Sequence, residues 1–383
     1  MLDCTLHVGM PKTGTSSIQK TLFLALSDPR FAYFSSGEVT GAQLLPVLVK
    51  PSLARPWFWN GRGGDIEYAR NMQRKYLATF QRFVGKCRSQ GKHLILSGES
   101  CSRMSSEDLI ELRQLINQHG YKIHVVLYLR PWKSWIESAY QQDIKLATMS
   151  GPSGKSLMSL ANEGRLDYRS CLENLDHAFG AENVQVRVYS PQQFPNGCVV
   201  QDFFRQIGIH LRPESIRRDN DSIGINAVKM LYCYNLFLKH RYRINSLAFY
   251  QHVQLTLALR EMPDAPFHFH SAYALPMFEK YTSQTSWIEN RIGADFHEDF
   301  FAFDHGHCIQ SPEDFLCFDE SSVHWLAQRT KSPIPKEYHG EATARTIADM
   351  IQKLRHQLPS LSRMSGSVCE VVERSMVRWR YAR

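Results

Sequence analysis

What the chain lacks narrows it first. No stretch of its 383 residues approaches the roughly 20 consecutive apolar residues that a membrane-crossing helix needs. The amino end shows no basic region running into an apolar segment and a small-residue cleavage site, so nothing there reads as a secretion signal. The nine cysteines, at 4, 87, 101, 171, 198, 233, 308, 317 and 369, form no C-x-x-C pair. That argues against a zinc site or a disulfide framework and for a reducing compartment. The expectation is therefore a cytoplasmic protein. Repeats and low-complexity tracts are also missing. Lys and Arg outnumber Asp and Glu by 45 to 37, a formal charge of +8, yet they form no block and no stripe interleaved with aromatics. The balance suits an anionic partner and disfavours nucleic acid.

What is present reads as an α/β front half. Cys4-Thr5-Leu6-His7-Val8 is a short strand. A glycine-containing loop comes next, then a helix over 16–26 with Ile18, Leu22 and Leu26 on one face, stopped at Ser27-Asp28-Pro29. His93–Ser97, Lys122–Leu129 and Asn183–Tyr189 read as further strands, with a helix near Ser106 to His119 ended by Gly120. Strands alternating with helices predict a parallel sheet flanked by helices, with ligands bound beyond the carboxyl ends of the strands. The loops 9–17, 97–100 and 130–138 then converge. After about residue 215 the pattern turns helical, as at Ile225–Leu238 and Ala342–Leu358, with aromatic- and histidine-rich connections. The expected organisation is an α/β core over 1–215 and a mostly helical extension over 216–383.

The loop HVGMPKTGTSS, residues 7–17, has the G-x-x-x-x-G spacing of a phosphate-binding loop in Gly9 and Gly14. Thr15 stands where a nucleotide P-loop places lysine, and the lysine here is Lys12, inside the loop. Such a loop offers an anion a nest of backbone N–H groups and the positive end of the next helix. Thr13, Thr15, Ser16 and Ser17 add hydroxyls. The competing reading is a tight strand-to-helix turn with a Ser/Thr cap.

Residues 9–17, GMPKTGTSS, resemble the 5′-phosphosulfate-binding motif of sulfotransferases that use 3′-phosphoadenylyl sulfate (PAPS), in which lysine also precedes the second glycine. Residues 127–145, LYLRPWKSWIESAYQQDIK, are similar to that family's 3′-phosphate motif, with Arg130 closing a strand, Ser138 eight residues on, and Tyr140 after it. The resemblance covers residues 4–22 and 92–145. It is weaker at VRVYSPQQF, 186–194, and at 217–235, where Asn220 and Ser222 stand in an N-x-S arrangement similar to that of bacterial members.

It implies a P-loop-like sulfotransferase fold that binds PAPS, releases 3′-phosphoadenosine phosphate (PAP), requires no metal, and sulfates a small-molecule or glycan acceptor at a hydroxyl or an amine. The implied donor site is Pro11, Lys12, Thr13, Gly14, Thr15, Ser16, Ser17, Arg130 and Ser138, with Lys12 at the leaving oxygen. A guanidinium and a hydroxyl make a sensible clamp for a doubly charged 3′-phosphate.

The acceptor must also lose a proton to a base. Glu99, just past a strand end in LILSGES, is the first choice, and Glu38 in YFSSGEV is the alternative. Glu99 could equally be a loop-fixing carboxylate. Trp132 and Trp135 are candidates for packing over the nucleotide or in the core. RPWFWNGRGG, 55–64, is a candidate sugar platform with Arg55 and Arg62. His268 and His270 in FHFH show no metal-ligand spacing with credible partners. Two other classes stay open: a P-loop kinase using ATP, disfavoured by Thr15, and a non-catalytic nucleotide- or glycan-binding protein.

Overall fold

A computed structural model describes residues 1–37, 44–53, 66–145, 167–217, 222–238, 247–296 and 298–358. The chain divides into two compact units that interleave in sequence. One holds Met1–Trp132, Gly164–Asp221 and Lys280–Glu298; the other holds Lys133–Glu163, Ser222–Glu279 and Asp299–Arg383.

The first unit is built on a five-stranded, all-parallel sheet of β1 (Leu2–Val8), β2 (Phe31–Tyr33), β3 (His93–Gly98), β4 (Tyr121–Leu129) and β5 (Val184–Val188), in the order β2-β3-β1-β4-β5. The helices α1 (Thr15–Ala25), α2 (Leu44–Val49), α3 (Ile66–Ser89), α4 (Ser106–Asn117), α5 (Trp132–Lys145), α6 (Tyr168–Phe179) and α7 (Val199–Gln206) are interspersed along the same stretch of chain.

Parallel strands covered on both faces are buried along their length, and β1 is so: Cys4, Leu6 and Val8 are buried, and so are the polar Thr5 and His7, which bond to His93 and Ser97. On one face Ile18 and Leu22 of α1 join Val199, Val200, Phe203 and Phe204 of α7 against Ile95, Val126 and Tyr128. Below that layer Asp202 accepts hydrogen bonds from the Tyr128 hydroxyl at 2.7 Å and from Arg187 at 2.8 and 3.0 Å, tying β4, β5 and α7 together. Elsewhere in the unit, α4 packs on α6 and on β4.

The expected strands are all present, each within two residues of its expected ends. Several elements are additional, β2 and α3 among them. β2 has three residues, too few for an alternation to register. α3 has 24, and its buried Tyr76, Phe80, Val84 and Cys87 follow a helical period within an otherwise polar sequence.

The second unit is helical in its described residues. It comprises most of α5, together with α8 (Ile225–Leu238), α9 (Leu247–Leu259), α11 (Glu320–Thr330) and α12 (Gly340–Gln357), and isolated β-bridges link its loops. The intervening α10 (Thr285–Ile292) belongs to the first unit. α8 packs on α12, and buried polar side chains of α5 and α8 serve neighbouring backbone groups. Gln141 accepts from the Ile223 N–H at 3.1 Å, and the Asn235 amide donates to the Ile144 carbonyl at 2.8 Å.

Candidate functional site

The strand order decides where the site can be. β1 lies between β3 and β4 with Val8 in register with Gly98 on one side and Leu127 on the other. Strands β2 and β3 lie to one side of β1, and β4 and β5 to the other. The crevice at such a switch point opens at the carboxyl ends. Gly9 leaves β1 with its N–H still bonded to the Gly98 carbonyl at 3.2 Å, so Glu99 starts directly beside the loop. Arg130 comes directly after the last residue of β4.

Three of the loop's carbonyl oxygens are engaged. Met10 O accepts the hydroxyls of Thr13 at 2.7 Å and Thr15 at 3.2 Å. Lys12 O accepts Arg130 Nη1 at 2.9 Å, and Gly14 O accepts the Ile18 N–H at 3.0 Å. With the acceptors tied down, the donors set the loop's polarity. The first N–H groups of α1 have no intrahelical partners. The residue capping that helix is Gly14, which supplies no side chain, whereas Ser105 and Asp167 cap α4 and α6 with side-chain oxygens.

Two residues of the loop are left-handed: Gly14 at φ +79° and Lys12 at φ +69°. Glycine takes that conformation freely. A β-carbon on Gly14 would also come within 2.5 Å of Val199 Cγ1, and one on Gly9 within 2.4 Å of Thr15 Cγ2. For Lys12 the conformation costs about 1–2 kcal/mol.

The predicted donor-site residues of the first unit gather at this one edge. Pro11, Thr13, Thr15 and Ser17 are buried, and Lys12, Gly14 and Ser16 are half-buried. The hydroxyl protons of Thr13 and Thr15 serve the loop itself, so toward an anion these residues offer backbone N–H groups. Arg130 is half-buried, its guanidinium lying 5.0 Å from the centre of the Tyr189 ring, while its carbonyl accepts the Tyr168 hydroxyl at 2.6 Å. Glu99 is half-buried at the start of a 3₁₀ turn, Glu99–Arg103, where its carbonyl accepts the Ser102 hydroxyl at 2.9 Å.

Ser138 lies half-buried on α5 within the second unit, two residues before the buried Tyr140, which stacks on Phe267. Trp132 and Trp135 are core residues, 3% and 1% exposed, and Trp132 packs on Tyr168 and Phe296. His268 pairs with Glu137 at 3.1 Å, and His270 accepts from the Ala272 N–H at 3.1 Å, so both hold local structure. Glu38, Arg55, Arg62 and Asn220 lie outside the described residues. Among the described residues no three His, Cys, Asp or Glu side chains group as a metal site, and no helix is long and apolar enough to cross a membrane.

Sequence reasoning missed the supports. Tyr189 and Tyr168 flank Arg130, and neither carries a local signal of that role. Beneath the loop, Ser97 Oγ accepts from the Gln19 amide at 3.1 Å and pairs with His7 Nδ1 at 2.8 Å, linking α1, β3 and β1. His7 is fully buried, and its Nε2 has no hydrogen-bond partner among the described residues. Burial pushes its pKa down to about 3.

No family model matches the chain. An uncharacterized protein of Archaeoglobus fulgidus is 32% identical over 122 residues, which is 32% of this chain, and the match spans only 32% of that relative's length. The sulfotransferase domain from the curacin biosynthetic pathway aligns over 74% of this chain and 98% of its own, at 12% identity and a TM-score of 0.30. That superposition is too loose to establish a common fold.

The buried His7 sets a pH dependence. A histidine held neutral in the fold but free to protonate when unfolded gives stability that is complete above about pH 6.5 and is lost as pH falls toward its folded pKa. Between about pH 6 and pH 4 the native protein should lose about 1.4 kcal/mol per pH unit from this group alone. His7→Gln should flatten urea midpoints measured across that range by this amount, and parallel curves for the two proteins would contradict it.

Proposed function

We propose that this chain is a sulfotransferase that moves the sulfuryl group of PAPS to a hydroxyl or amine of an acceptor. The observation that carries the reading is the loop at the end of β1: the carbonyls of Met10, Lys12 and Gly14 are tied away, a lysine stands inside it, and Arg130 is hydrogen-bonded to that lysine's carbonyl. The paired motifs at 9–17 and 127–145 fit the same donor.

In this reading the loop N–H groups and Ser16 hold the 5′-phosphosulfate, while Arg130 takes the 3′-phosphate. Lys12 neutralises the bridging oxygen as the S–O bond breaks, and the sulfur passes in line to the acceptor oxygen. A sulfuryl group carries less charge than a phosphoryl, so an ammonium suffices where phosphoryl transfer uses a metal. Glu99 accepts the proton that the acceptor releases. The acceptor is proposed to be a carbohydrate or glycoconjugate.

Lys12→Ala should lower the transfer rate from PAPS at least about a hundredfold while changing PAP affinity less than about tenfold. A wild-type rate in that variant removes the leaving-group role. Glu99→Gln should bind PAP within about twofold of wild type yet lose transfer about a hundredfold; an active Glu99→Gln protein would move the base to Glu38.

A further inference from the structure

The helix α3 carries a charge pattern that its own stability does not call for. It holds six Lys and Arg side chains against Glu67 alone, a net +5 of the chain's formal +8. Glu67 pairs with Arg70 at 3.5 Å and with Arg74 at 3.7 Å. Lys75, Arg82 and Lys86 are exposed, and among the described residues no carboxylate pairs with them. At about 100° per residue these three fall within about 40° of arc, a straight row roughly 16 Å long turned away from the buried Tyr76, Phe80 and Val84. Arg82 and Lys86 stand one turn apart, and like charges at that spacing weaken a helix. The negative end of the helix offsets this for Lys86, in the last turn, but not for Lys75 or Arg82.

Gly85 is a second, independent observation. It is exposed inside α3, its φ is not positive, and a β-carbon built on it would meet nothing within 4 Å. Neither packing nor backbone conformation therefore calls for a glycine that weakens the helix. Ala78, seven residues earlier, is exposed on the same line. Together they leave a bare strip beside the row of cations. Arg82 Nε donates to the Ala78 carbonyl at 3.2 Å, which keeps that side chain along the strip.

We infer that this strip is a docking surface for an extended anionic glycan, whose sulfates or carboxylates meet Lys75, Arg82 and Lys86 while its sugar backbone lies against Ala78 and Gly85. An arginine fork suits either anion. Preference for a glycan over an acidic peptide rests on the carbohydrate acceptor proposed above. A single-stranded nucleic acid would want aromatic platforms and a bilayer an apolar wedge. α3 offers neither: Tyr76 and Phe80 are buried, Tyr68 and Phe83 are half-buried, and its one exposed large apolar residue is Ile66, at the first position. α3 ends shortly before β3 begins, so the row runs toward the amino edge of the sheet, away from the loop.

The test is calorimetric titration of the full chain with heparin, a linear sulfated glycan, at about 0.15 M salt, beside duplex DNA and polyglutamate. Wild type should bind heparin tightest. Arg82→Glu with Lys86→Glu should weaken heparin at least about tenfold. Lys122→Glu with Lys336→Glu, the same change of net charge at exposed cations outside α3, should weaken it less than about threefold. Gly85→Leu changes no charge. It should raise the melting temperature, because leucine favours a helix over glycine, yet weaken heparin about threefold or more by filling the strip. If the charge-reversed α3 variant does not fold, Gly85→Leu decides alone. Wild-type heparin affinity in Gly85→Leu, equal losses in the two charge-reversed pairs, or no heparin binding by wild type would each overturn the inference. Tighter binding of DNA or polyglutamate would overturn the glycan as occupant. A wild-type protein that fails to bind PAP would instead overturn the donor-site reading and leave the heparin comparison standing.

Discussion

The parallel pairing of β1 with β3 on one side and β4 on the other is the constraint on which the rest depends. It sets Val8 level with Gly98 and Leu127. Three chain segments that are distant in sequence therefore end together: the loop after Gly9, the turn at Glu99, and Arg130. Because β1 is buried on both faces, its chemistry is confined to the loop beyond Val8. The one polar ring within the strand, His7, is held neutral by burial and bonded to Ser97.

From that junction the loop takes its character by turning its oxygens away. A glycine-rich turn can present either carbonyls or N–H groups, and here two threonine hydroxyls, one guanidinium and one helical N–H engage the carbonyls of Met10, Lys12 and Gly14. The donors that remain, the helix end, Lys12 and Arg130 share one sign. An anion of two or more charges is the ligand such an arrangement favours. The left-handed Lys12 is the strained point of the loop, and strain of this kind persists only where surrounding contacts hold it.

Most of the first unit was legible because its strands are short apolar runs bounded by glycine or proline, and because both motifs sit on strand-to-helix junctions. β2 escaped because three residues carry no period, and α3 because its apolar positions are diluted over 24 residues. At the site, residue types and spacing pointed to Lys12, Arg130 and the glycines. They could not show that the Thr13 and Thr15 hydroxyls turn inward, nor that Tyr168 and Tyr189 flank Arg130, since those contacts join segments 38 and 59 residues from Arg130. The FHFH histidines were open in the sequence, and their pairing with Glu137 and capping of Ala272 explain them as structure.

The central claim is that the loop and Arg130 together hold a nucleotide carrying both a 5′- and a 3′-phosphate. Calorimetric titration of the purified chain with PAP, in parallel with AMP and with ATP and magnesium, tests it most directly. Tightest binding of PAP, weaker binding of AMP and no preference for ATP with magnesium is the predicted result. Preference for ATP with magnesium, or no binding of PAP, would contradict it.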